Sequence, residues 1–233
     1  MTGTSNAMKT APMPSPKDLS RIRWLSSFPK SGNTWVRVFL ANLMIPKGRP
    51  LTLKEVSSMP FYTDTRKGGW SRTEYFGKAH HPYSQERHGE NKSVYIVRDP
   101  VDVVPSCANF FGVTITRMAK EVARDWPRHV ASWWPHIDLV LKYENMPDNF
   151  HVLAQHLDMP SDFQSVVTAI SHADFDGLKA DEAKHGWVEA SEKGGAFFRK
   201  GTVGQGREVM TDAQVANIVN GAGEWYERLG YAR

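Results

Sequence analysis

With 233 residues, 40% of them hydrophobic and 11% aromatic, the chain is large and apolar enough to bury one substantial core, which excludes general disorder and two independent cores. A single cysteine, Cys107, excludes an internal disulfide framework, and no paired Cys/His spacing suggests a zinc site. The net charge of +4 is mild and its basic residues are scattered, which favours an anionic small ligand over a nucleic-acid surface.

Residues 1–19 are rich in Ser, Thr, Pro and Met without periodicity and read as a flexible leader, leaving residues 20–233 as one domain. No run of about 18 apolar residues and no secretory leader pattern occurs, so neither membrane spanning nor export is indicated and a reducing, cytoplasmic setting is expected. The apolar run Ile22 to Phe28 reads as a strand, Pro29 to Gly32 as a turn, and "NTWVRVFLANLM" as a helix, with Trp35, Val38, Phe39 and Leu43 at helical spacing. A second unit has Val94 to Val97 as a buried strand, Asp99 as an N-cap and Pro100 at the first helical position. In a third, Leu139 to Leu141 forms the strand and Pro147 opens a helix. A final helix covers "TDAQVANIVNGAGEWYERLG" with Thr211 as its cap. Strands alternating with helices predict a three-layer α/β/α domain around a central parallel sheet, of P-loop-like type. Residues 46–73 and 176–210, rich in Gly and Lys, read as long loops, which on such a domain tend to be functional.

Parallel sheets bind ligands at the carboxyl ends of their strands, and two motifs fall there. Ser31, Gly32, Asn33 and Thr34 open a helix, where unpaired N–H groups and the dipole attract an anion, and Lys30 adds a full charge. The lysine precedes the glycine, the reverse of the usual ATP-binding loop. Arg98 follows a buried strand directly, where it could grip a phosphate bidentately or pair with Asp99 or Asp102.

"FPKSGNTW" resembles the 5′-phosphosulfate motif of the cytosolic sulfotransferase family, and "YIVRDPVDVVPSCANFF" its 3′-phosphate motif, with the arginine at Arg98 and the serine at Ser106. "GKAHHP" is similar to the family's Lys-Thr-His-Leu-Pro, placing a lysine at Lys78 and a histidine at His80. "WPRHVASWW", "LKYENM" and "FFRKGTVG" match three further family segments in the same order. The chain resembles a short, bacterial-like member. The resemblance implies 3′-phosphoadenosine 5′-phosphosulfate as sulfuryl donor, adenosine 3′,5′-bisphosphate as product, a small-molecule hydroxyl acceptor and no metal requirement. It makes His80 the general base, with His81 a rival, and Lys30, Lys78 and Ser106 its helpers. It places the 5′-phosphate on Lys30, Ser31, Gly32, Asn33 and Thr34. The 3′-phosphate falls to Arg98, Ser106, Arg199, Lys200 and Gly201, and the adenine to Trp35, Tyr143 and Phe175.

Asn33 stands where threonine is commoner, with an amide that could still donate to an anion. Tyr62, Trp70, Tyr75, Phe76, Tyr83 and Phe110 are candidates for an apolar acceptor pocket or for core, while His129, Trp133 and Trp134 read as helix packing. "GQGREVMTDAQ" departs from the vertebrate pattern after the glycine loop, so no dimer is carried over and the oligomeric state is left open. An ATP-dependent P-loop kinase and a non-catalytic module for adenosine bisphosphate or polyanions are the alternative functions.

Overall fold

The computed structural model describes residues 22–59, 62–63, 75–91 and 93–232. Its elements run β1 (Ile22–Ser27), α1 (Asn33–Met44), α2 (Leu53–Ser57), β2 (Tyr62–Thr63), β3 (Tyr75–Ala79), α3 (Gln85–His88), β4 (Ser93–Val97), α4 (Pro100–Phe111) and α5 (Ile115–Trp133). They continue with β5 (Ile137–Lys142), α6 (Phe150–His156), α7 (Phe163–His172), α8 (Phe175–His185), α9 (Gln205–Val209), α10 (Asp212–Ala222) and α11 (Glu224–Arg228). All strand pairings are parallel and the order is β2-β3-β1-β4-β5, so β1 is central and the chain crosses from one side of it to the other between β3 and β4.

The period-2 alternation of the strands divides the core between the two faces. Leu25, Val94, Ile96 and Leu141 pack against Val36, Phe39 and Leu40 of α1 and against Phe150 of α6. Trp24, Tyr95 and Val97 point the other way, into α4, α5 and α10. Trp24, Trp126 and Trp133 are fully buried. Each withdraws on the order of 200 Å² from water, about 5 kcal/mol of transfer free energy before conformational entropy is set against it.

Local chemistry fixes the element starts. Asp99 accepts from Val101 N and, with Pro100 at the first helical position, opens α4. Thr211 and Gln214 form a reciprocal capping box on α10. Four expectations shift. The 46–73 loop contains α2, opened by the reciprocal Thr52–Glu55 capping box, and β2. The 176–210 loop contains α8, started by Asp174 accepting from Gly177 N, and α9; the glycine run outweighed the Asp-x-x-Gly cap and the good helix formers behind it. The helix expected from Pro147 begins as a 3-10 turn, Pro147–Asn149, and becomes α6 at Phe150. The last helix breaks at Gly223 into α10 and α11.

Candidate active site

The carboxyl ends of β1, β3, β4 and β5 open into one cavity of about 470 Å³. After β1 the chain turns sharply, because Lys30 (φ 65°) and Gly32 (φ 102°) both adopt left-handed backbone. At Gly32 a Cβ would lie 2.7 Å from the Tyr143 ring, so glycine is required there. The turn leaves the N–H groups of Asn33, Thr34 and Trp35 without intrahelical partners at the cavity wall, and no acidic side chain occupies the first turn of α1. Ser31 Oγ lies buried beside them with no partner. The Lys30 ammonium sits 3.3 Å from the Phe197 ring centroid and 4.7 Å from that of Phe110. Burial lowers its pKa to about 8.

The side chain of Asn33 is not available to an anion. Its amide donates to Leu25 O at 2.8 Å and its carbonyl accepts from Arg37 Nε at 3.1 Å, so only its backbone N–H faces a ligand.

Arg98, at the end of β4, is 5% exposed and stacks over the Tyr143 ring at 4.0 Å. It donates to Lys30 O at 3.4 Å and Thr202 O at 3.0 Å, and its Nε has no partner. The neighbouring carboxylates are engaged elsewhere: Asp99 caps α4 and accepts from Tyr226, while Asp102 accepts from Gly204 N and Gly206 N, both at 2.7 Å. The ion pair with Asp99 or Asp102 is therefore not formed, and the Arg98 charge is left for the cavity. Asp102 also ties down one end of the loop carrying Arg199, Lys200 and Gly201. Glu182 of α8 holds the other end by accepting from Phe197 N at 2.6 Å and Phe198 N at 2.8 Å. Gly201 (φ 67°) packs so closely on Phe175 that a Cβ would lie 2.7 Å from the ring. Burial, with Arg98 nearby, lowers the Arg199 pKa. Lys200 adds a further cation to this wall and Ser106 a hydroxyl.

Tyr143 and Trp35 line the cavity, and both donate to the protein: Tyr143 Oη to Gly201 O at 3.1 Å and Trp35 Nε1 to Ala173 O at 2.8 Å. This clasp ties Tyr143 to the glycine loop and presents its ring, with that of Trp35, to the cavity.

His80 follows β3. Its Nδ1 lies 3.0 Å from Ser27 O and 3.1 Å from Ser27 Oγ. A carbonyl only accepts, so Nδ1 carries the proton and Nε2 is the basic nitrogen of the neutral ring. The neighbouring His81 also lines the cavity, and its carbonyl accepts from Trp133 Nε1 at 2.9 Å. Lys78, on β3, meets Glu189 at 3.0 Å. Burial opposes the Glu189 charge, but Arg37 and Lys78 outweigh it and hold the carboxyl pKa at about 2.

The rest of the wall is aromatic. Phe110, Phe111, Phe197 and Phe198 line the cavity. Phe76 instead belongs to the core at 3% exposed, and Tyr83 donates to Gly89 O at 2.6 Å while stacking on His136 at 3.5 Å. Trp70 and the side chains of Tyr62 and Tyr75 lie outside the described residues. His129 and Trp133 are buried in α5, with His129 Nδ1 2.8 Å from Tyr95 Oη; Trp134 packs on Trp225. Among the described residues no three His, Cys, Asp or Glu side chains gather as a metal site, and no helix is long and apolar enough to cross a membrane.

Sequence reasoning passed over Arg37, Glu182, Glu189, Phe197 and Gln205. Arg37 carried a signal, a charge inside the apolar run of a helix buried nearly all round. Phe197 lies two residues before the Arg-Lys-Gly run, within the same segment. Glu189 carried none, since Arg37 lies 152 positions away, and Glu182 none, since it binds backbone N–H groups that no residue type marks. Gln205 lines the cavity at 3% exposed, with Nε2 unpaired.

Known proteins share this architecture. The chain matches the sulfotransferase domain family over residues 22–230. An amine sulfotransferase from Oryctolagus cuniculus is 24% identical over 225 residues, covering 81% of this chain and 75% of the relative. The structure of mouse sulfotransferase SULT7A1 complexed with PAP superposes with a TM-score of 0.62 at 18% identity, over 91% of this chain and 84% of that one. Retinol dehydratase in complex with retinol and PAP gives a TM-score of 0.69 at 15% identity, over 93% and 87%. Together with a cavity at the strand ends walled by cations and a histidine, the match across nearly the whole described chain shows that this protein belongs to the sulfotransferase family and is a sulfotransferase.

Proposed function

We propose that the enzyme transfers a sulfuryl group from 3′-phosphoadenosine 5′-phosphosulfate to a hydroxyl of a small, largely apolar acceptor. The observation that carries this reading is the meeting, in one cavity, of two separate anion-binding elements and a histidine of fixed tautomer. An ATP site needs one such element; a nucleotide phosphorylated at both 3′ and 5′ positions needs two. The residues fit that group: Ser31 Oγ and Arg98 Nε are buried without partners, and the loop backbone is held by carboxylates that leave the cations free to act.

When bound, the donor supplies an activated sulfuryl on a stable leaving group. Lys30 and the N–H groups of Ser31 to Trp35 hold the 5′ end. Arg98, Ser106, Arg199, Lys200 and Gly201 hold the 3′-phosphate, and the rings of Trp35, Tyr143 and Phe175 enclose the base. His80 Nε2 removes the acceptor proton, and Ser27 keeps the ring in the tautomer that allows it. Protonated Lys30 stabilises charge on the leaving oxygen, and its lowered pKa suits it to give a proton there. Lys78 faces the sulfuryl oxygens. The Phe110, Phe111 and Phe197 rings offer an apolar, planar surface for the acceptor.

A transfer assay with labelled donor and a panel of phenols and alcohols tests this directly. His80→Ala should lower turnover by about 10²- to 10⁴-fold and leave adenosine 3′,5′-bisphosphate affinity nearly unchanged. Full turnover in that variant would remove His80 from the base role.

A further inference from the structure

Glu189 is an acidic side chain in an anion-binding cavity, which calls for an explanation. Its Oε2 accepts from Arg37 Nη2 at 2.7 Å and from Thr34 Oγ1 at 3.4 Å, and lies 3.0 Å from Lys78 Nζ. Arg37 is 4% exposed and is locked by Asn33 Oδ1 at 3.1 Å and Thr34 Oγ1 at 2.9 Å, all within the first turns of α1. The carboxylate is therefore anchored to an immobile cation, and Lys78 is attached to the carboxylate.

We propose that Glu189 is a positioning residue that holds the Lys78 ammonium at a fixed point of the cavity, with buried Arg37 as its anchor. The inference rests on the sulfuryl-transfer reading. A lysine with no partner distributes its ammonium over many rotamers of a long, flexible stem. A charge meant for oxygens that gain charge only during transfer is most effective when already in place. Glu189 supplies that order, and being 25% exposed against 16% for Lys78, both groups are shielded enough for the contact to persist. Capture of a cationic acceptor is a poorer account, because two cations already balance this carboxylate. A purely structural clamp, joining the loop around Glu189 to α1, is the competing account and makes different predictions.

The test combines Glu189→Gln, Lys78→Met and the double variant, with adenosine 3′,5′-bisphosphate binding followed by calorimetry and transfer from the sulfated donor. The bisphosphate has no sulfuryl group, and Glu189→Gln removes a negative charge from its site. Its affinity should equal or exceed wild type while kcat falls by at least about tenfold. In the double variant kcat should match Lys78→Met alone within about twofold, as expected when one residue acts through the other. Glu189→Asp keeps the charge for Arg37 but withdraws the oxygen from Lys78, and should lower kcat with bisphosphate affinity retained. That variant keeps the test open should Glu189→Gln not fold. A parallel loss of binding and kcat, losses that multiply in the double variant, or wild-type kcat in both Glu189 variants would overturn the inference alone. A wild-type protein that did not bind the bisphosphate would overturn the donor reading and this inference together.

Discussion

Lys30 is held in the folded protein at an energetic cost, and replacing it should stabilise the molecule while destroying the site. Its pKa falls from 10.5 to about 8, chiefly through burial. The native state therefore binds fewer protons than the unfolded chain between these values, so this group's contribution to stability rises with pH across that window and its penalty is complete below it. At 1.36 kcal/mol per pH unit, the penalty is about 3 kcal/mol at pH 7 and about 1.4 kcal/mol at pH 9.5. Lys30→Met keeps the length of the side chain and the same left-handed backbone, but loses the cation contact with Phe197, worth about 1 kcal/mol. The net gain at pH 7 is about 2 kcal/mol, which for a chain of this size raises Tm by roughly 4–8 °C. Thermal unfolding of both proteins at pH 7 and 9.5 reads it out, and the advantage should shrink at the higher pH. A variant less stable than wild type at pH 7, or a difference independent of pH, would refute the burial argument.

Two further outcomes follow from the cationic wall. Arg98→Met should weaken adenosine 3′,5′-bisphosphate by roughly 10- to 100-fold, the value of a charge-assisted contact, while adenosine 5′-phosphate affinity, measured in the same calorimeter, stays level. Asp102→Asn removes one of the two acceptors that hold Gly204 N and Gly206 N, so it should cost about 1–3 kcal/mol in denaturant unfolding and weaken the bisphosphate in step.

The sequence exposed what local chemistry decides. Helix α1 begins at Asn33 because Pro29 and Gly32 punctuate the chain before a periodic apolar run, and α4 begins at Pro100 because Asp99 caps it. Lys30 and Arg98 were legible because they sit in or beside the turns that end β1 and β4, whereas Lys78, Arg199 and Lys200 were legible only through the resemblance of their segments. What escaped is long-range. Arg37 and Glu189 are 152 positions apart, and Asp102 holds amides 102 and 104 positions away. No spacing rule reaches such pairs, since the sheet order decides which loops meet. Tyr143 shows the same limit: its position in the cavity was legible, but its hydroxyl is claimed by Gly201, 58 positions on. Helix α8 was missed for a different reason, a weak amphipathic pattern with only Leu178 buried, beside a glycine-rich stretch that reads as loop.

The central claim is that the cavity holds a nucleotide phosphorylated at both ends of its ribose. Calorimetric titration of adenosine 3′,5′-bisphosphate and of ATP into the purified protein, in parallel and without added metal, tests it most directly. The account predicts that the bisphosphate binds at least tenfold more tightly, a gap of about 1.4 kcal/mol or more. Equal or tighter binding of ATP would contradict it and remove Arg98 and the loop at Gly201 from the 3′-phosphate.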